Sequence, residues 1–242
     1  MQAITLFEDY VDWLRVNVPL AYDNLGPPAD RAEIDTLEQA LGQRLPDDVK
    51  SVLMLHNGQR QTMTSTRGDH AVPCIPTLSF LSTSSIVDCW SDWIPVRASK
   101  DIEALQAAGD VMPGAEGRVK PLYTSPGWIP LWSDTARADY IGLDLDPDSQ
   151  GIHGQIINFG RDEERHYVCA DSFTDLLGFL VDEVRSGRWP ASIFVVDDDD
   201  DDDDDDRSEL EEQPWFGNPG DHFFNALYER AMNSARSRAS RS

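Results

Sequence analysis

The stretch from Trp128 to Ala170 limits the possible folds more than any other part of the chain. Its apolar residues recur with period two. Trp128-Ile129-Pro130-Leu131-Trp132 reads as a strand, and its proline argues for a sheet edge or a strand start. Further on, Ile141, Leu143 and Leu145 face one way, while Tyr140, Asp144 and Asp146 face the other. Turns at Pro147–Gly151 and Gly160–Glu164 set off two more strands, Gln155–Phe159 and His166–Ala170. Strands this short with turns this tight must be antiparallel neighbours, because parallel pairs need a long crossover. Ser172 and Asp175 then cap a helix whose apolar face is Phe173, Leu176, Leu177, Leu180, Val181 and Val184, and Gly187 ends it.

Helices precede this meander. Ile4, Phe7, Val11 and Leu14 form a first stripe, and Pro19 closes that region. Asp30 with Glu33 is a capping-box pair before Ile34, Leu37 and Leu41, and Gly42 is placed to end that helix. Leu45-Pro46-Asp47 opens a third helix with Val49, Val52 and Leu53 inward, and Asn57-Gly58 supplies a left-handed cap. Residues 59–73 read as a polar loop. Leu78–Leu81 is a short strand, and Ser82–Ser85 caps a helix carrying Ile86, Cys89, Trp90 and Trp93. Residues 99–120, with one or two helical turns around Ile102 and Leu105, read as an excursion from the fold. The order predicts an α+β protein, a mostly antiparallel sheet packed against helices.

Charge divides the chain further. The formal net charge is −24, of which −10 belongs to residues 197–242 and −14 to the rest. Ten consecutive aspartates, Asp197–Asp206, repel one another and bury nothing. The expected organisation is therefore a domain at 1–196, an acidic disordered linker at 197–213, and a short amphipathic helix with a frayed tail at 214–242. That helix, with Phe216, Phe223, Phe224, Leu227, Tyr228 and Met232, either docks back or binds something else. Such acidity argues against nucleic acid and anionic lipid, and for a basic protein partner. Cys74, Cys89 and Cys169 sit at no metal spacing and read as free thiols of a reducing compartment. With no signal peptide and no long apolar run, the expected location is cytoplasmic.

Several of these pieces together resemble a known family. Leu45-Pro46-Asp47-Asp48 through Leu53-Met54-Leu55-His56-Asn57-Gly58 is similar to an element of the SUKH superfamily, and more narrowly of the Smi–Knr domain. Trp128-Ile129-Pro130, Asp134, Ile141-Gly142-Leu143-Asp144-Leu145-Asp146-Pro147, Gly151, Gly154-Gln155-Ile156-Ile157 and Ser172-Phe173 match it in order and spacing. The resemblance spans residues 25–185. It implies an α+β binding module with no catalytic constellation. It further implies either an immunity protein that neutralises a toxin, often a nuclease, or a regulator of cell-wall synthesis acting through protein contacts.

Chemistry read directly from the residues agrees with a non-enzyme. Asp144, Asp146 and Asp148 suggest a calcium loop, but Ser149 and Gln155 stand where glycine and glutamate are required. No histidine pair, nucleophile elbow or phosphate loop is present in the sequence. His166 reads equally well as plain surface, and Cys169 as a small buried residue. No metal or cofactor is expected. The better lead is aromatic and acidic. Trp132, Asp134 and Asp139, with Asp144 and Asp146 on the polar side of their strand, are expected to form one acidic partner-binding surface. The leading expectation is stoichiometric neutralisation of a basic toxin domain. The alternative is a regulatory scaffold in cell-wall or envelope synthesis.

Overall fold

A computed structural model describes residues 2–60, 72–163, 165–196, 211–218 and 220–240. Four helices come first: α1 (Gln2–Asn17), α2 (Pro19–Asn24), α3 (Arg31–Leu41) and α4 (Asp47–Leu53). The two-residue strand β1 (Ser79–Phe80) leads to α5 (Thr83–Asp92), α6 (Ile94–Arg97), α7 (Ile102–Gln106) and β2 (Asp110–Val111). The meander comprises β3 (Trp128–Ser133), β4 (Asp139–Asp144), β5 (Gln155–Gly160), β6 (Arg165–His166) and β7 (Val168–Ala170). Then follow α8 (Phe173–Arg185), β8 (Ala191–Val196), β9 (Glu211–Phe216) and α9 (Phe223–Ala239). The main sheet runs β1-β3-β4-β5-β7, antiparallel throughout. The α+β architecture read from the sequence is the one observed.

Local signals placed most elements. The Asp30–Glu33 capping box forms, with the Asp30 carboxylate accepting from Glu33 N and the Glu33 carboxylate from Asp30 N, both at 2.8 Å. Gly42 closes α3 in the left-handed conformation. Ser172 caps α8, and all six apolar residues assigned to that helix are buried. In α1 the buried stripe is Ala3, Phe7, Tyr10 and Leu14, one residue out of phase with the predicted one except at Phe7 and Leu14. Tyr10 is drawn inward because its hydroxyl donates to the Cys74 carbonyl at 2.6 Å. Pro19 starts α2 instead of closing the region, since the first helical turn needs no N–H from it.

Pro130 stands on β3 short of Trp132 and Ser133, the two residues that β1 covers, so it is locally at a sheet edge, as expected, and beside a β-bulge that leaves Leu131 without a partner on β4. Two other expectations about the sheet are corrected. The bulge also reverses the side-chain alternation of β3. Trp128 therefore packs on Phe159 and His166, while Trp132 turns to the opposite face against Phe173 and Phe223. Both faces of the sheet are covered, so Tyr140 and Asp144, read as the solvent side, are buried. The segment 99–120 is not an excursion. It buries Ala115 and Val119, and β2 pairs in parallel with β6.

The chain does not leave the body at Val196. β9 pairs with β8 along six residues, from Ala191↔Phe216 to Val196↔Glu211. α9 docks in cis, burying Phe223, Ala226, Leu227 and Ala231 in the common core. Arg230 bridges to Asp175 at 2.7 Å, and Arg188 reaches Asp221 at 2.7 Å and Glu229 at 3.1 Å. Of the acidic linker expected at 197–213, residues 197–210 lie outside the described residues, and Glu211–Gln213 belong to β9. Of the polar loop expected at 59–73, residues 61–71 lie outside the described residues. Gln59 itself is buried, and its side-chain oxygen accepts from both Cys74 N and Phe80 N.

Candidate protein-binding site

The five residues expected to share one surface are distributed over three environments. Trp132 is a core residue, 1 % exposed. Asp144 is fully buried, accepting from Asp146 N at 3.1 Å and from the Gln155 amide at 3.0 Å. Burial pushes its carboxyl up from the usual range, against the pull of those hydrogen bonds. Gln155 is the hub of this corner. Its amide also donates to the Arg118 carbonyl, and its oxygen accepts from Ile152 N. Asp146 is exposed beyond the end of β4 and pairs with Lys120 at 2.6 Å. The Asp144–Asp146 pattern that resembled a calcium loop is thus engaged with protein groups.

Asp134 and Asp139 remain together at the opposite end of β4. Asp134 accepts from Ala138 N at 2.8 Å and Asp139 N at 3.3 Å. Asp139 accepts from Asp162 N at 3.0 Å. Burial and the neighbouring charges of Asp134 and Asp162 raise the Asp139 carboxyl, while its backbone hydrogen bond lowers it. The turn after β5 therefore brings Asp134, Asp139, Asp162 and Glu163 to one corner. The last two were missed in the sequence because their strand pairing, not their spacing, brings them near Asp139. The available signal was the hairpin turn at Gly160–Glu164, which had to return beside the start of β4.

Glu163 is the most perturbed acid of this corner. Its carboxyl hydrogen-bonds the Asn158 amide, which lowers its pKa, but burial outweighs this and lifts it from 4.5 to about 7. The Asp139 charge adds to the rise. His166, which the sequence left open between surface and another role, is buried between two carbonyl oxygens, Leu122 O at 2.8 Å and Asn158 O at 3.2 Å. Burial holds its pKa below the ordinary value. A carboxyl raised by folding favours the folded state while protonated. That stabilisation is complete below the unfolded pKa and is lost as pH rises through about 7. Glu163→Gln is therefore expected to gain thermal stability relative to the parent between pH 5 and pH 8, by about 1–3 kcal/mol. Parallel melts across that range check it, and a difference that does not change with pH would count against it.

Among the described residues, no three histidine, cysteine, aspartate or glutamate side chains are grouped to hold a metal ion. Cys74, Cys89 and Cys169 are free and buried. Among the described residues no helix is long and apolar enough to cross a membrane.

The fold is thus α+β, an antiparallel sheet covered on both faces, with carboxylates gathered at the turns that flank β4. Residues 28–178 match the family model of the SMI1/KNR4 family (SUKH-1), and the chain belongs to that family. It is 31 % identical over 183 residues to the cell wall biosynthesis/cell cycle regulator smi1 of Schizosaccharomyces pombe. It is 28 % identical over 205 residues to the glucan synthesis regulatory protein of Neurospora crassa. It is 26 % identical over 204 residues to the cell wall assembly regulator SMI1 of Saccharomyces cerevisiae. Each match covers 73 % of this chain but only 35–39 % of the relative, so the chain spans little more than a third of their length.

Proposed function

We propose that this chain is a non-catalytic, protein-binding module acting in the regulation of cell-wall synthesis. The observation that carries the reading is its kinship, over nearly three quarters of its length, with proteins named for that regulation. Neutralisation of a toxin, the expectation that the family resemblance allowed and the acidity favoured, draws no support from these relatives. Of the expected surface Asp134 and Asp139 remain, and with Asp162 and Glu163 beside them they make an acidic corner that suits a basic partner. Charge placed there raises association rate more than final affinity. Trp132 and Asp144 drop out of that surface because both are buried.

A chimera tests the reading. The matching third of the Schizosaccharomyces pombe regulator is replaced by this chain, and survival under a wall-digesting glucanase is measured. Survival at the parental level is the expected outcome. Sensitivity equal to complete loss of the regulator, with the chimera present at normal abundance, would sink the proposal. Capture of bound proteins at low and high salt separates the two classes of partner. Several wall-synthesis proteins agree with the regulator, whereas one basic toxin returns the argument to immunity.

A further inference from the structure

The β8–β9 ribbon has one blunted edge and, among the described residues, one edge whose backbone groups meet no partner. Gly217 N donates to the Pro190 carbonyl at 3.0 Å, which makes Pro190 and Gly217 a hydrogen-bonded pair. Along an antiparallel ladder such pairs alternate with pairs whose N–H and C=O groups point outward. Given the register, Ser192, Phe194 and Val196 bond to β9, and Ala191, Ile193 and Val195 turn their backbone groups to the outer edge. Pro214 stands opposite Ile193, in an outward position where it has no N–H to present.

The outer edge of β9 is closed to a further strand. Its Phe216 carbonyl already accepts from Thr77 N at 2.8 Å, and Pro214 interrupts it. The outer edge of β8 has none of these devices. Ala191-Ser192-Ile193-Phe194-Val195-Val196 contains no proline and no charge. Among the described residues, no backbone group pairs with Ala191, Ile193 or Val195 on that side. A two-stranded ribbon is marginal on its own in water, and a third strand stabilises it.

The charge on the chain selects what that strand is. Ten aspartates follow Val196 directly in the sequence, and the whole chain carries −24. A second copy carries the same −24, so bringing two copies together on this edge is opposed by their net charge. An extended segment with alternating basic side chains gains both ladder hydrogen bonds and charge attraction. We propose that the outer edge of β8 accepts an extended Lys/Arg-rich segment of a partner protein as a third strand. The site is the β8 edge, and the net charge of the chain sets the sign of its occupant. The proposal deepens the protein-binding reading and rests on it only in requiring a protein partner.

The probe is a peptide of alternating Lys and Val, long enough to span β8, titrated into the full chain. A second peptide of the same sequence has every backbone nitrogen methylated, which keeps the charge and removes the ladder donors. The first peptide is expected to bind one to one and to slow amide exchange at Ala191, Ile193 and Val195. Its affinity falls about tenfold or more between low and physiological salt, and the methylated peptide binds at least about tenfold more weakly. Val195→Pro removes an outward donor without touching the β8–β9 bonds and is expected to weaken binding by a similar factor. Equal binding of the two peptides would reduce the interaction to charge alone and overturn the proposal. So would absence of binding at low salt, protection confined to other residues, or a chain that sediments as a dimer through this edge. Should the proline unfold the ribbon, the two peptides on the unaltered chain still decide. These results are independent of the glucanase assay, so either proposal can fail without the other.

Discussion

Phe223→Ala will unfold the protein at a markedly lower urea concentration, at a cost of about 3–5 kcal/mol. The residue lies beyond the acidic stretch, where a detached tail would make the change harmless. In the structure its ring is fully buried, 5.3 Å from Trp189, 6.0 Å from Phe179 and 6.2 Å from Trp132, measured between centroids. Three aromatic walls, from β3, from α8 and from the segment between α8 and β8, cannot close on an alanine, so a cavity remains and its cost adds to the lost transfer energy. Its backbone N–H also donates to the Thr77 hydroxyl at 3.0 Å, which ties the start of α9 to the segment before β1. Tyr228→Ala, on the exposed side of the same helix, provides the comparison, with an expected loss below about 1 kcal/mol. Equal midpoints for Phe223→Ala and the parent would mean that α9 is not part of the cooperative unit.

The second large effect is expected from one methyl group. Gly58→Ala should cost about 3 kcal/mol or more and lower the melting temperature by about 10 °C. Gly58 has φ of +65°, where a side chain is strained. An added Cβ would also overlap the backbone of Leu81 and Ser82, which has no flexible end to move aside. The neighbouring Asn57 depends on that close approach. Its side-chain Oδ1 accepts from Thr83 N at 2.7 Å and its side-chain Nδ2 donates to the Thr83 hydroxyl at 3.1 Å. Loss of the approach therefore disturbs the start of α5 as well. Gly42→Ala tests whether the close approach matters, because Gly42 has the same φ of +65° with open space around it. A cost for Gly58→Ala no larger than for Gly42→Ala would leave only backbone strain.

The contrast between Gly42 and Gly58 marks the limit of what the residues reveal by themselves. At Gly42 the capping role is local, and the sequence reading holds. At Gly58 the same residue type was read as another cap, but α4 ends at Leu53 and the glycine serves a contact with the chain before α5. The capping box of α3, the apolar face of α8 and the antiparallel meander were all legible, because each depends on neighbours within a few residues. Trp132 was misplaced because a single bulge reversed the alternation beyond Pro130, and that proline, which bulges also tolerate, was read only as the sign of an edge or a strand start. Asp144 was misplaced because segment 94–123 and α5 cover the face on which a half-exposed strand would show its carboxylates. The docking of α9 was left open because its partners, Trp132, Phe179 and Trp189, lie far away in sequence. Of the candidate site, Asp134 and Asp139 were found from the sequence, whereas Asp162 and Glu163 needed the strand register.

Because β9 and α9 return to the body, residues 197–210 are an insertion between two parts of one core, and not a terminus. The closure entropy of such an insertion grows only with the logarithm of its length, about 0.6 kcal/mol for each doubling. The number of aspartates is therefore almost decoupled from folding. Selection or an engineer can lengthen the run to strengthen its field, or shorten it to weaken that field, while the domain on either side stays the same.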